Sequence, residues 1–215
     1  MDRYIDIHTH NQNRSENLVL YNLYRIETID IKNVTFGIHP WSLSENTLDA
    51  DFDRLLLYCE KRLIVAVGEI GIDRAVDIPL EKQIYWFKKQ LELAENCRLP
   101  LIIHCVRAWS DLLEIRKKCN SQTPWIFHGF NGGIKTAQQL IHKGCYLSFG
   151  HHLLKNIKIQ EIFKSLPIEY LFLETDNSDE KIEAIYEKAA YLRGITISDL
   201  KMHVEKNFAT VFKGQ

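Results

Sequence analysis

The sequence has no run approaching the roughly 18 consecutive apolar residues of a membrane span, so no membrane-crossing helix is expected. It opens MDRYIDIHTH, without a basic segment followed by an apolar stretch; no secretory leader is expected, and the cytoplasm is the expected compartment. Its five cysteines (Cys59, Cys97, Cys105, Cys119 and Cys145) are widely spaced, odd in number and without a CxxC pair. That excludes a disulfide framework and a cysteine zinc cluster, and the five read as small core residues. A charge excess is also missing: 27 basic against 28 acidic residues leave a formal net charge of −1. Proteins that grip nucleic acid nonspecifically usually carry a clear basic excess, so any phosphate-binding surface here must be local. The paired lysines Lys88-Lys89 and Lys117-Lys118 read as solvated helix faces. With no linker, repeat or low-complexity stretch, the 215 residues are expected to form one domain over 1–215.

What is present is a repeated polar ending. Six side chains of metal-ligand type sit at or just past the end of short apolar runs. They are His8 and His10 in YIDIHTH, Glu69 in LIVAVGEIG, His104 in LPLIIHC, His128 in PWIFHGF and Asp176 in YLFLETD. Such a run reads as a buried parallel strand delivering a polar group to its C-terminal edge. Strands are expected over Tyr4 to Ile7, Leu18 to Tyr24, Asn33 to Ile38, Leu63 to Val67, Leu99 to Ile103, Pro124 to Phe127, Cys145 to Phe149 and Tyr170 to Leu173. Helical spacing falls between them over Leu48 to Lys61, Leu80 to Asn96, Ser110 to Lys118, Ile134 to His142, Ile159 to Leu166 and Lys181 to Tyr191. A last helix runs over Leu200 to Phe212, with Ser198 as its expected N-cap.

Alternation of strand and helix means parallel βα units, and about eight strands make a closed barrel the expected form. A single α/β (β/α)8 barrel usually takes about 250 residues. This one is therefore expected to be trimmed, with at least one crossover helix missing near the N-terminus, where only HTHNQNRSEN separates the first two strands.

Residues two apart on a strand share a face, so His8 and His10 can hold one ion. The expected arrangement is His8, His10 and Asp176 around one divalent ion, His104 and His128 around a second, and Glu69 between them. Two such ions can share a water, lower its pKa and stabilise both attacking and leaving oxygens. Asp176 would take the proton from that water as general base. Histidine-rich ligation favours zinc or manganese over magnesium, though cell availability can override ligand preference.

The motifs His8-x-His10, Gly68-Glu69-Ile70-Gly71-Ile72-Asp73, Ile102-Ile103-His104-Cys105, Phe127-His128-Gly129-Phe130 and Leu173-Glu174-Thr175-Asp176 resemble those of the TatD family of metal-dependent deoxyribonucleases. Gly37-Ile38-His39-Pro40-Trp41 and the tail from Asn207-Phe208 to Phe212 resemble further segments of that family, in the same order, from residue 1 to about 214. The resemblance implies a TIM-like barrel, one or two divalent ions on the six ligands, and phosphodiester hydrolysis that removes nucleotides from DNA ends. It implies that His39 contacts the scissile phosphate and that Lys155 lines the groove. The chain departs from the family after Asp176, where Asn177-Ser178-Asp179-Glu180 replaces Ser-Pro-Tyr and an Arg, Asn and Pro-rich loop. It departs again at Val106, where the family has Arg; here Arg107 follows one place later.

Arg107 could bind phosphate bidentately or pair with Asp111 one turn along a helix. Trp41, Trp109 and Phe130 could stack on bases or close the barrel mouth. A small phosphate ester, lactone or amide is the alternative substrate, motivated by the altered loops and the near-zero charge. A non-catalytic barrel fits the full ligand set least, and no obligate protein partner is expected.

Overall fold

A computed structural model describes residues 3–11, 18–23, 33–119 and 121–212. Eight strands follow in chain order: β1 (Ile5–Thr9), β2 (Leu18–Leu23), β3 (Val34–Phe36), β4 (Ala66–Asp73), β5 (Leu101–Val106), β6 (Trp125–Phe127), β7 (Tyr146–Phe149) and β8 (Leu171–Leu173). Sheet order equals chain order, and the pairs β1–β2, β3–β4, β4–β5 and β7–β8 are parallel. Eight α-helices are described: α1 (Leu48–Glu60), α2 (Leu80–Cys97), α3 (Trp109–Lys118), α4 (Ile134–His142), α5 (His152–Lys155), α6 (Ile157–Ser165), α7 (Ile182–Arg193) and α8 (Ile197–Val211). Among the described residues no helix lies between β1 and β2 or between β2 and β3. The trimmed first crossover itself falls on residues 12–17, outside the described residues.

The chain divides into two compact units, one of Met1–Tyr21 with Phe127–Lys213, the other of Asn22–Ile126 with Gly214–Gln215. In the first, β7 and β8 pair in register from Leu147↔Leu171 to Phe149↔Leu173, and a bridge joins Thr9 to Asp176. Ile7, Leu147, Phe149 and Phe172 are fully enclosed, as strands covered on both faces require. Tyr186 of α7 stitches the helix to β1: its hydroxyl accepts from Ile5 N–H at 3.2 Å and donates to Ile5 C=O at 3.0 Å. Asn207 of α8 donates to the carbonyls of Ile168 and Leu171 at 2.8 and 2.9 Å. The cap of α8 is Thr196, not Ser198. Thr196 and Asp199 form a reciprocal capping box, which satisfies two free amides, whereas Ser198 is already the second residue of the helix.

In the second unit, α2 buries Trp86, Phe87, Leu91 and Ala94 at three- and four-residue spacing, and Arg98 in the left-handed conformation (φ 56°) ends it. Two glutamines on this helix face strand ends rather than water. Gln90 accepts from Ile38 N–H at 2.6 Å and donates to Ile38 C=O at 3.1 Å. Gln83 does the same for Asp73, at 2.8 and 3.0 Å. Both amides substitute for missing ladder partners where β3 and β4 give out, and so they fix the residues beside His39 and at Asp73.

The strand expected to stop at Val67 runs on to Asp73. Gly68 and Gly71 both mark close approach to β5. A Cβ on Gly71 would lie 1.9 Å from the His104 carbonyl oxygen, and one on Gly68 would lie 2.6 Å from Ile102 Cβ. Glu69 therefore sits inside a strand, and so does His104.

Candidate functional site

Each unit gathers its own cluster of ligand-type groups. In the first, the donor atoms of His8, His128 and Asp176 all lie within 4.8 Å of one another. Asp176 Oδ1 is 3.6 Å from His8 Nε2 and 3.6 Å from His10 Nε2, and the His8 and His128 rings stand 4.3 Å apart. Two donors each about 2.1 Å from one ion at a tetrahedral angle are about 3.4 Å apart, so this set of imidazoles and a carboxylate fits a divalent cation. His8 lies in β1 and His10 directly follows it, and their rings stand edge-to-face with centroids 5.1 Å apart. His128 has His8 and Glu174 as neighbours, with Nδ1 3.5 Å from Glu174 Oε1.

Asp176 is held by backbone rather than by a strand. Its N–H donates to His8 C=O at 2.9 Å, its C=O accepts from the Thr9 hydroxyl at 3.1 Å, and its φ is 50°. A non-glycine residue in that region carries strain that the surroundings must override. They do so through Thr175, whose N–H reaches Asp6 Oδ1 at 3.0 Å and whose hydroxyl lies 2.6 Å from Asp6 Oδ2 and 3.0 Å from Thr9 Oγ1. Asp6 is wholly buried. Sequence reasoning missed Asp6 and Thr175; the signal was a charged residue two places before His8 within an otherwise apolar strand.

Glu174 is also enclosed, and its Oε1 accepts from Gly129 N–H at 2.6 Å. Burial pushes its carboxyl up, but hydrogen bonding and charge from His128, with His8 and Ser148 behind, hold it below the ordinary range. It stays an anion beside the imidazoles.

In the second unit the donor atoms of His39, Glu69 and His104 lie within 4.8 Å of one another. Glu69 Oε1 is 2.6 Å from His104 Nδ1 and 3.2 Å from His39 Nε2. His104 Nε2 is 3.2 Å from Asp73 Oδ2, which also accepts from the Trp41 indole at 2.7 Å. Burial works against the Asp73 anion, yet bonds from Trp41, the Ala75 amide and His104 outweigh it and keep the carboxyl below its usual value. Two imidazoles and a carboxylate at this spacing also suit a divalent ion.

Other expected residues part ways. Arg107 is exposed at φ 53° ahead of α3, and Asp111 pairs with Arg74 instead, through bonds of 2.7 and 2.8 Å. A residue before the helix cannot reach down its face as one inside it can. Lys155 is exposed, with Nζ 3.7 Å from Glu180 Oε1. Phe130 is a core residue, not a stacking surface; Trp41 is 55% exposed and stands edge-on to His39. His151 and His152 are exposed and pack on each other, rings 4.1 Å apart.

Known proteins resemble this chain in sequence and in fold. A protein-family model described as TatD related DNase matches residues 6–213. An uncharacterized metal-dependent hydrolase of Escherichia coli is 32% identical over 148 residues, which span 66% of this chain but only 57% of that protein. One of Bacillus subtilis, also described as an uncharacterized metal-dependent hydrolase, is 28% identical over 87% of this chain and 80% of its own length. The crystal structure of a TatD homolog from Escherichia coli superposes with a TM-score of 0.84 at 23% identity, covering 99% of each chain. That likeness gives the fold class: eight parallel strands in a nearly closed barrel, with helices around them.

Proposed function

The chain belongs to the TatD related DNase family, and from that premise we propose that it hydrolyses phosphodiester bonds at DNA ends, using one or two divalent ions. The observation that carries the reading is the placement of Asp176 Oδ1 3.6 Å from both His8 Nε2 and His10 Nε2. Residues His8, His10, His128 and Asp176 would hold metal in the first unit, and Glu69 and His104 in the second. Zinc, manganese or magnesium held by these residues would supply a water of lowered pKa and Lewis-acid stabilisation of phosphoryl charge. Asp176 takes up the proton of the attacking water, held in place by the Thr175 and Thr9 contacts behind it. Glu69 and the anionic Glu174 keep the imidazoles oriented. His39 Nε2–H, which rests on Glu69 Oε1 at 3.2 Å, is the donor proposed for a phosphate oxygen once Glu69 turns to metal, and Arg107 and Lys155 supply the remaining positive charge towards the substrate.

We read residues 1–215 as a single hydrolase domain because one family model spans them nearly end to end. The cytoplasm is the proposed compartment, supported by five cysteines that all remain thiols. No helix among the described residues is long and apolar enough to cross a membrane.

The test is release of nucleotides from end-labelled single- and double-stranded DNA by protein stripped of metal and resupplied with Mg²⁺, Mn²⁺ or Zn²⁺. The expected result is metal-dependent trimming, abolished by chelator and by His8→Ala or Asp176→Asn. If DNA ends stay intact with all three ions while bis(p-nitrophenyl) phosphate is cleaved, the substrate is a small ester. If neither is cleaved, the hydrolase reading is wrong.

A further inference from the structure

The cluster of the second unit holds two histidines on one carboxylate, and hydrogen-bond chemistry separates their roles. A backbone N–H and an indole N–H can only donate, and an ionised carboxylate can only accept. Trp41 N–H points at His39 Nδ1, 3.2 Å away, so that nitrogen carries the lone pair and the His39 proton sits on Nε2. From there it donates to Glu69 Oε1 at 3.2 Å. Both ring nitrogens of His39 are thereby engaged, one as acceptor and one as donor.

The reverse holds at His104. Asp73 Oδ2 accepts from the Trp41 indole at 2.7 Å, and its only possible relation to His104 Nε2, 3.2 Å away, is again as acceptor. Glu69 Oε1, 2.6 Å from Nδ1, is an acceptor as well, so both ring nitrogens of His104 face anions, and with a metal ion on Nδ1 the ring proton is on Nε2, against Asp73. Two lone-pair atoms at that range need a cation, either a proton or a metal ion, to bring them together.

We infer that Asp73 and Trp41 are positioning residues that fix opposite roles on two neighbouring rings. Asp73 pins the proton of His104 on Nε2, so that Nδ1 is the coordinating atom. Trp41 anchors that Asp73 oxygen with its side chain and blocks His39 Nδ1 with its backbone, which makes His39 a donor and not a ligand. This rests on the metal-binding role proposed for His104. A carboxylate behind a ligating imidazole is a general device for setting tautomer and ring orientation, and its loss typically costs about 10–100-fold in metal affinity or activity. Two carboxylates compete here for the ring proton, Asp73 at one nitrogen and Glu69 at the other. Removing the Asp73 charge hands the proton to the Glu69 side and masks the coordinating atom.

Asp73→Asn keeps the shape but cannot keep the bonds. Asp73 Oδ1 accepts from Ala75 N–H at 2.8 Å, so either orientation of the amide sets its NH₂ against a donor. The experiment is long-range ¹H–¹⁵N correlation spectroscopy of full-length protein labelled with ¹⁵N-histidine, with His104 assigned by the signals lost in His104→Gln. Metal-free wild type is expected to carry a proton on His104 Nε2, with or without a second on Nδ1, and Asp73→Asn to lose the Nε2 proton. Zinc titration is expected to give about 10–100-fold weaker binding in Asp73→Asn. Trp41→Phe alters an exposed side chain, should fold normally, and is expected to weaken zinc in the same direction by a smaller factor. An Nε2 proton retained in Asp73→Asn, or unchanged zinc affinity in both variants, overturns the inference. Failure of wild type to bind zinc at all would instead overturn the metal reading of His104, and the metal-free spectra keep the two failures apart.

Discussion

Replacing Thr175 by valine removes one hydroxyl from a buried network and leaves the volume nearly unchanged, so the loss can be worked from the contacts. The hydroxyl lies 2.6 Å from Asp6 Oδ2 and 3.0 Å from Thr9 Oγ1, and it has a single proton to give. The shorter, charge-assisted bond to Asp6 should take it. Asp6 has no exposed surface, so water cannot replace that donor, although the Thr175 amide still reaches Oδ1 at 3.0 Å. A hydrogen bond to a charged group contributes about 1.5–3 kcal/mol, and a buried anion short of one donor loses the whole of it. The expected destabilisation is about 2 kcal/mol. For a chain of this size that is roughly 4–8 °C in Tm. Asp176 follows Thr175 directly and sits at a strained φ of 50°, so metal affinity should fall with stability. Calorimetry of the metal-free protein measures the first effect, and zinc titration the second. Thr175→Ser restores the hydroxyl and should recover most of both. A loss below about 0.5 kcal/mol for valine, or no recovery with serine, would refute the account of how Asp176 is held.

The remaining predictions are simpler. Gly71→Ala would drive a Cβ to 1.9 Å from the His104 carbonyl oxygen, a backbone atom that cannot step aside; it should cost about 3 kcal/mol or more and abolish zinc binding by the second cluster. Gly133→Ala, where no atom lies within 4 Å, should be tolerated in the same thermal-melt comparison. Arg74 holds the Asp111 carboxyl below its ordinary value through paired bonds, so this pair stabilises fully above the unfolded-state pKa of about 3.9. Its contribution is lost as pH falls through the depressed folded-state value. Arg74 is 44% exposed, so the urea midpoint of Arg74→Ala should fall only slightly below that of wild type at neutral pH, and the difference should vanish in strong acid.

How far the sequence led depends on what kind of backbone carries each ligand. His128 and Asp176 follow apolar runs that end in β6 and β8, and His10 directly follows β1; there the change from apolar to polar coincides with the end of the strand. Glu69 and His104 do not obey that rule. Gly68 and Gly71 look like punctuation, but their reason is the backbone of β5 passing too close for any side chain. A glycine needed for space and a glycine needed for a turn are the same letter. Asp111 shows a second limit: pairing it with Arg107 assumed helical spacing, whereas Arg74, 37 residues away in sequence, holds the better position. Gln83 and Gln90, seven apart on α2, looked like ordinary polar helix residues because only the fold shows that their face meets two strand ends.

Ligand identity and ligand role part company for the same reason. A histidine in the sequence is a possible donor, acceptor or ligand, and nothing along the chain chooses among them. His39 and His104 flank one carboxylate at 3.2 and 2.6 Å, so distance alone would make both of them ligands. The choice is made one contact further out, by groups whose polarity is fixed: the Trp41 amide and indole, and the Asp73 carboxylate. Trp41 is mostly exposed, so packing does not demand a tryptophan there. Its indole proton explains the residue better than its area does, because phenylalanine would offer the same face and leave Asp73 Oδ2 one bond poorer. Substitutions at such positions should therefore change metal affinity and ring protonation while leaving the fold intact, the reverse of what Thr175 or Gly71 would do.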